Sequence, residues 1–199
     1  MRRLGILLSG RGSNFEAIAD NIECATLPAE IAVVISNRPE APGIEIARER
    51  DLPAVVLPSK GVTREEYNRR LVAELQNRGV ELVCLAGFMR MLTVEFCKAF
   101  PLRALNIHPS LLPAFPGIDA QKQALEHGAK ISGCTVHFVD EHLDAGPIVL
   151  QAGVPVLDDD TEQTLAARIL VEEHRIYSEA IGIILSGRWR IEGRRVIAG

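Results

Sequence analysis

Two side chains spaced two residues apart, the amide of Asn106 and the imidazole of His108, form the pair in this sequence best suited to chemistry. They stand in Asn106-Ile107-His108-Pro109-Ser110-Leu111-Leu112-Pro113, behind a largely apolar run from Leu102 to Leu105 that reads as the end of a buried strand. Side chains alternate faces along a strand, so Asn106 and His108 share one face and Ile107 takes the other. Pro109 has no N–H to donate and stops the ladder. An amide and an imidazole at the carboxyl end of a strand stand where open α/β sheets bind their ligands. On this segment alone, a polar strand end with a proline turn is an equally good reading.

Asp144, in the turn Asp144-Ala145-Gly146-Pro147, is the third group to weigh. Taken alone it is a turn former. Beside His108 it would orient the imidazole and raise its pKa, so that the cation could act as acid or electrostatic stabiliser. Asn106 would add a neutral donor for a developing oxyanion. No serine or cysteine is presented as a nucleophile, and Ser110 lies outside any strained elbow motif. The set therefore suits direct attack by a substrate amine, or by water, on an acyl carbon. A zinc site built from His108, His137, His142 and Asp144 is the other chemical reading, but the spacing matches no H-E-x-x-H pattern and offers no C-x-x-C partner. His137 alternates with Val136 and Phe138, which puts it on the less buried face of its strand, and His142 falls in a loop; no metal is expected.

These groups need a scaffold, and the chain supplies one in order. Leu4 to Leu8 is a continuous apolar run, as in a strand covered on both faces. Ser9-Gly10-Arg11-Gly12-Ser13-Asn14 follows, then a helical segment from Phe15 to Cys24. A glycine-rich loop between strand and helix start is an anion site. Phe15 holds the third glycine position of a dinucleotide fingerprint, and no Gly-Lys-Ser/Thr follows, so one phosphate of a small substrate is the better ligand. The same loop also reads as a tight turn capped by Ser13 or Asn14.

Further strands are expected at 31–35, 54–57 and 82–86, with helices at 43–50, 63–77 and 93–100. Thr63 and Glu66 form a capping-box pattern at the head of the second of these helices. Strand alternating with helix argues for a doubly wound parallel sheet. After a helix at 120–127, two longer strands at 131–139 and 148–156 suggest an antiparallel extension. Leu165, Ile169, Ile176 and Ala180 mark the longest helix, and Glu192-Gly193 centres a terminal hairpin. The expectation is an α/β fold with a doubly wound, mainly parallel sheet and an antiparallel extension in the second half, one domain over residues 1–199.

Composition narrows the function classes. The 199 residues are 47% hydrophobic and 24% charged, an ordinary globular balance, and the formal net charge of -4 leaves no basic footprint for nucleic acid. No apolar run reaches the length of a membrane span, and the opening apolar run is too short for a signal peptide. Cys24, Cys84, Cys97 and Cys134 lack C-x-x-C spacing and are expected as buried reduced thiols in a cytosolic protein.

Gly10-Arg11-Gly12-Ser13-Asn14, Gly87-Phe88-Met89-Arg90, the run from Asn106 to Pro113 with Phe115-Pro116-Gly117, and Asp144-Ala145-Gly146-Pro147-Ile148 together resemble the folate-dependent formyltransferases. The resemblance covers essentially the whole chain. The amino-terminal Gly-Ser-Asn loop is similar to that of the branch acting on glycinamide ribonucleotide and of the related formyltetrahydrofolate deformylases. It implies that Asn106, His108 and Asp144 are catalytic, and that Gly12, Ser13 and Asn14 hold the ribonucleotide phosphate with Glu173 near the ribonucleotide. It also implies that Arg64, Met89, Arg90, Met91, Leu92 and Asn106 meet the folate, with 10-formyltetrahydrofolate as co-substrate. Ala145 departs from the family pattern, in which threonine is commoner.

The partners implied are small molecules, without nucleic acid or membrane; oligomeric state is not readable. Two rivals are a formyltetrahydrofolate hydrolase and a non-catalytic nucleotide-binding module. The related hydrolases carry an extra amino-terminal domain, and methionyl-tRNA formyltransferases an extra carboxyl-terminal one. A chain opening at strand one is expected to be the transferase, and a binding module would have no use for the trio.

Overall fold

The computed structural model describes residues 2–199, and the chain divides into two compact units, Met1–Leu105 and Asn106–Gly199.

In the first unit, β1 (Arg2–Leu8), β2 (Ala29–Ser36), β3 (Ala54–Val56) and β4 (Leu82–Leu85) are parallel and ordered β3-β2-β1-β4. The central strand β1 is apolar without alternation because both its faces are covered; Leu4, Ile6, Leu7 and Leu8 are fully buried. The covering comes from α1 (Ser13–Glu23) through Phe15 and Ile18, α2 (Pro42–Glu49) through Ile44 and Ala47, and α3 (Arg64–Asn77) through Tyr67, Leu71 and Leu75. Helix α4 (Val94–Ala99) adds Phe96. Each crossover returns the chain to the same edge, so every βα loop opens at the carboxyl end of the sheet.

Two local expectations change. Thr63 does cap α3, accepting the Glu66 N–H at 3.2 Å, but Glu66 does not reach back. Its carboxylate accepts from Arg69 and Arg70 instead, at 2.7 and 2.8 Å. Leu102 lies outside the strand, 45% exposed and with φ of 51°, so the strand starts two residues later.

That strand, β5 (Ala104–His108), spans the division between the units. In the second unit the order runs β5-β6-β7-β9-β8. β6 (Ile131–Phe138) and β7 (Ile148–Pro155) are antiparallel, with Cys134 opposite Ala152, as expected of the extension. β8 (Trp189–Glu192) and β9 (Arg195–Ala198) form the terminal hairpin, and β9 joins β7 through Ile148 and Arg195. Between β5 and β6 lies the short helix α5 (Ala120–Glu126). The fold class is thus a mixed, mainly parallel sheet with antiparallel strands towards the carboxyl end.

Helix α6 (Glu162–Ser186) carries a capping box between Thr161 and Thr164, and Gly187 closes it in the left-handed conformation. Its buried stripe, including Leu165, Ile169, Ile176 and Ala180, packs on β6 and β7. Cys84 and Cys134 are buried as expected, whereas Cys24, in the turn that caps α1, is exposed and Cys97, on α4, is half-buried. No described helix is long and apolar enough to cross a membrane.

Candidate active site

Asn106 and His108 leave β5 on one face, as the period of two requires, and the second unit brings Asp144 to them. His108 is 4% exposed. Its Nε2 donates to the carbonyl of Phe115 at 2.9 Å, since a carbonyl can only accept. Nδ1 is therefore the nitrogen that faces Asp144, 3.5 Å from Oδ2. The same Oδ2 accepts the backbone N–H of Gly117 at 2.8 Å, which fixes the carboxylate independently of the histidine. Asp144 itself holds a positive φ of 49°, a left-handed conformation that aspartate tolerates better than most side chains. The turn reading holds, and the turn aims the carboxylate at His108.

His137 joins this group. It is 2% exposed, so its placement on a less buried face is corrected. β6 is flanked on both sides in the sheet and covered on one face by α6, and its residues from Ser132 to Phe138 are all buried. Alternation with apolar neighbours carried no information about exposure here, because both faces are inside. Nδ1 of His137 donates to the Phe138 carbonyl at 2.9 Å, which leaves Nε2 as an acceptor. The Asn106 amide meets it with Nδ2 at 3.2 Å. Burial pushes the His137 imidazole below its ordinary value, outweighing the Phe138 carbonyl and the Asp144 carboxylate, which act upwards. A neutral ring is the form that can accept the amide proton, so the electrostatics and the hydrogen bonding agree. Asp144 Oδ1 lies 3.8 Å from the same Nε2. His142 stays out of the cluster, exposed beside Asp140. Among the described residues no three His, Cys, Asp or Glu side chains are grouped as a metal would need.

The loop from Pro109 to Gly117 is held from beneath. Thr135, fully buried on β6, donates to Ser110 O at 2.7 Å and accepts Leu112 N at 3.0 Å. Gln151 of β7 donates to Leu112 O and to the Thr135 hydroxyl, each at 2.9 Å. Ser110 is fully buried and donates to Ala114 O at 2.5 Å, so its hydroxyl serves the loop and is no nucleophile. The turn at Asp144 has a corresponding brace, the Arg194 guanidinium donating to Ala145 O. Gly146 stands so close to β6 that a Cβ there would lie 1.9 Å from the Phe138 carbonyl oxygen. Glu173 is buried on α6; its charge and that of Glu172 add to the burial that raises the Cys134 thiol to about 12.

In the first unit, Gly12 caps α1 with φ of 75° and no side-chain cap, so neither Ser13 nor Asn14 holds that position. Ser13 opens the helix instead. Glycine suits the left-handed cap, and helix geometry gives the first-turn amides no carbonyl of their own helix. Free amides of this kind at a helix start are a general feature of anion sites. Further along, Met89 and Met91 are 65% and 53% exposed on the loop after β4. Phe88 stacks on Tyr67 at 6.4 Å, and the Arg90 guanidinium lies 5.6 Å above the same ring. Thr93 N donates to Asn68 Oδ1 at 3.2 Å, which ends the loop just past Leu92. Arg64 is exposed at the head of α3, paired with Glu65 at 3.5 Å.

Sequence reasoning weighed His137 only as a metal ligand, and it missed Thr135 and Gln151 altogether. The signal for His137 was a histidine within an apolar strand; for Thr135 it was a hydroxyl in the same strand, two residues earlier.

The sequence profile described as Formyl transferase matches residues 2–181. The trifunctional purine biosynthetic protein adenosine-3 of Drosophila pseudoobscura pseudoobscura is 46% identical over 192 residues, 95% of this chain, and the chain spans only 14% of that protein's length. Phosphoribosylglycinamide formyltransferase of Escherichia coli strain K12 is 41% identical over 187 residues, covering 94% of this chain and 88% of that one. The crystal structure of glycinamide ribonucleotide transformylase 1 from Symbiobacterium toebii superposes with a TM-score of 0.97 at 53% identity, covering 100% of this chain and 94% of that one.

Proposed function

The chain belongs to the formyl transferase family, and we propose that it transfers the formyl group of 10-formyltetrahydrofolate to the amine of glycinamide ribonucleotide, a step of purine biosynthesis. The observation that carries the reading is the set of buried His108 and His137 with half-buried Asn106 and Asp144, which offers donors and a carboxylate but no protein nucleophile. Formyl transfer to an amine needs that inventory. The amine attacks the formyl carbon directly. The second N–H of the Asn106 amide donates to the oxyanion, and a protonated His108, whose own N–H groups face Phe115 O and Asp144, stabilises it by charge alone. Asp144 offsets the imidazolium charge and positions a water that relays the proton to the departing folate nitrogen.

The remaining assignments follow that reading. Gly12, Ser13 and Asn14 hold the ribonucleotide phosphate, and Glu173 contacts the ribonucleotide. Arg64 and Met89 to Leu92 hold the folate with Asn106. On this reading residues 1–199 are one formyltransferase domain. Its partners are these two small molecules, its place the cytosol, and no metal is required.

An amine anchored beside the formyl carbon gains the advantage of an intramolecular reaction, which reaches several kcal/mol of barrier. Water has no such anchor. Turnover of the formylated folate should therefore depend on added glycinamide ribonucleotide and yield the formylated ribonucleotide stoichiometrically, as read by mass spectrometry. Free glycinamide, without the phosphate, should be a poor acceptor. Formate released at one rate with or without the ribonucleotide would identify a hydrolase and overturn the assignment.

A further inference from the structure

The glycine-rich loop and the loop after β4 are joined at one residue, Ser9. Ser9, the residue after β1, is 3% exposed. Its hydroxyl has one hydrogen, and Asn37 Oδ1 takes it at 2.6 Å. An amide oxygen can only accept, so the direction of that bond is fixed. The Ser9 Oγ lone pair then receives the backbone N–H of Met89 at 2.8 Å. The backbone doubles the connection, with Ser9 N donating to Gly87 O at 3.0 Å. Asn37 continues the chain, its Nδ2 donating to Ser59 Oγ at 3.2 Å. The order is Met89 to Ser9 to Asn37 to Ser59, with every proton assigned. On the other side of Ser9, the carbonyl of Gly10 accepts Gly43 N of α2 at 3.1 Å. One residue beyond that begins the Arg11-Gly12-Ser13-Asn14 segment.

We propose that Ser9 is a positioning residue that couples the two loops, so that an anionic ligand on Gly12 to Asn14 tightens binding of a folate on Met89 to Leu92, and the reverse by the same factor. The ligand classes rest on the function proposed above; the coupling is additional to it. A buried hydrogen bond is short and directional, and an unmatched partner in such a site is costly. Ordering the glycine-rich loop fixes Ser9, Ser9 fixes the Met89 amide, and the second ligand then meets a loop already ordered. Reciprocity follows from linkage.

Calorimetry on the full chain tests it. The dissociation constant of glycinamide ribonucleotide is measured with and without a non-reactive folate analogue, in the wild type and in Ser9→Ala. The wild type should show a coupling of about fivefold or more, and Ser9→Ala should bring the ratio to one while each ligand still binds alone. A purely structural role would lower the melting temperature and leave the ratio intact. The wild type also gives a readout that no folding defect can obscure: amide hydrogen exchange at Met89 should slow when the ribonucleotide alone is bound. An unchanged ratio in Ser9→Ala, or unchanged Met89 exchange, overturns the coupling and leaves the assigned activity standing. Failure of both ligands to bind the wild type overturns both.

Discussion

Asn106 and His137 face each other at 3.2 Å with donor and acceptor roles fixed, because the other ring nitrogen of His137 is already given to the Phe138 carbonyl. The amide of Asn106 thereby presents Nδ2 toward the ring, with one of its two hydrogens left for a substrate oxygen. The orientation of one proposed oxyanion donor is thus set by the charge state of a buried neighbour.

That relation predicts a pH dependence. His137 has its pKa lowered in the fold, so between its folded value and the ordinary value of 6.5 the unfolded chain binds more protons than the folded one. Its contribution is full above 6.5 and is lost as pH falls through the lower folded value. In His137→Gln, denaturant unfolding should show a shallower loss of stability than the wild type between about pH 7 and about pH 5. Parallel curves for the two proteins would mean that His137 is not held neutral.

Asp144→Asn keeps the size and the acceptor for the Gly117 N–H while removing the charge beside His108. We expect kcat to fall on the order of a hundredfold or more, with ribonucleotide binding and melting temperature unchanged. Turnover near the wild-type rate would return Asp144 to the role of a turn residue.

Gly12→Val tests the anion loop. A Cβ at this position would lie 2.9 Å from Leu8 Cδ2, on a backbone with φ of 75° that valine resists. The loop must shift, and KM for the ribonucleotide should rise on the order of tenfold, with a much smaller change for the folate. Equal changes in both constants would remove the phosphate assignment.

Tyr67→Phe removes a hydroxyl that is buried without a partner among the described residues, and whose phenol burial raises to about 12 against the opposing Arg90 charge. Stability should hold or rise, by about 1 kcal/mol at most, because no hydrogen bond is lost. Tyr67→Ala should instead cost about 3 kcal/mol or more and loosen the loop that stacks Phe88 and Arg90 on the ring. A drop in melting temperature with Tyr67→Phe would reveal a bond to the hydroxyl.

The parts of this protein legible in its sequence were those written in local periodicity. The apolar run of β1, the spacing on α6 and the turn at Glu192-Gly193 each state their element without help from elsewhere. Asn106 and His108 were legible because two strand positions must share a face. His137 was not, because its environment is set by what covers β6 on either side, and no neighbour in sequence reports that. Thr135 and Gln151 were hidden for a related reason: they act on a loop more than twenty residues away from either of them. Glu66 shows the limit of a motif, since nearby arginines competed successfully for the carboxylate that the capping pattern assigned elsewhere.

The close approach of Gly146 to Phe138 reaches further than the turn it belongs to. The carbonyl that a side chain at Gly146 would strike is the one that receives the His137 Nδ1 proton. Any larger residue at position 146 would push on the atom that decides which tautomer His137 adopts, and through it which way the Asn106 amide points. In a randomised library, position 146 would then score as intolerant even though glycine there has no chemical group to contribute. The lesion would register in turnover before it registered in folding, an effect transmitted by the space a missing methyl leaves for a single oxygen.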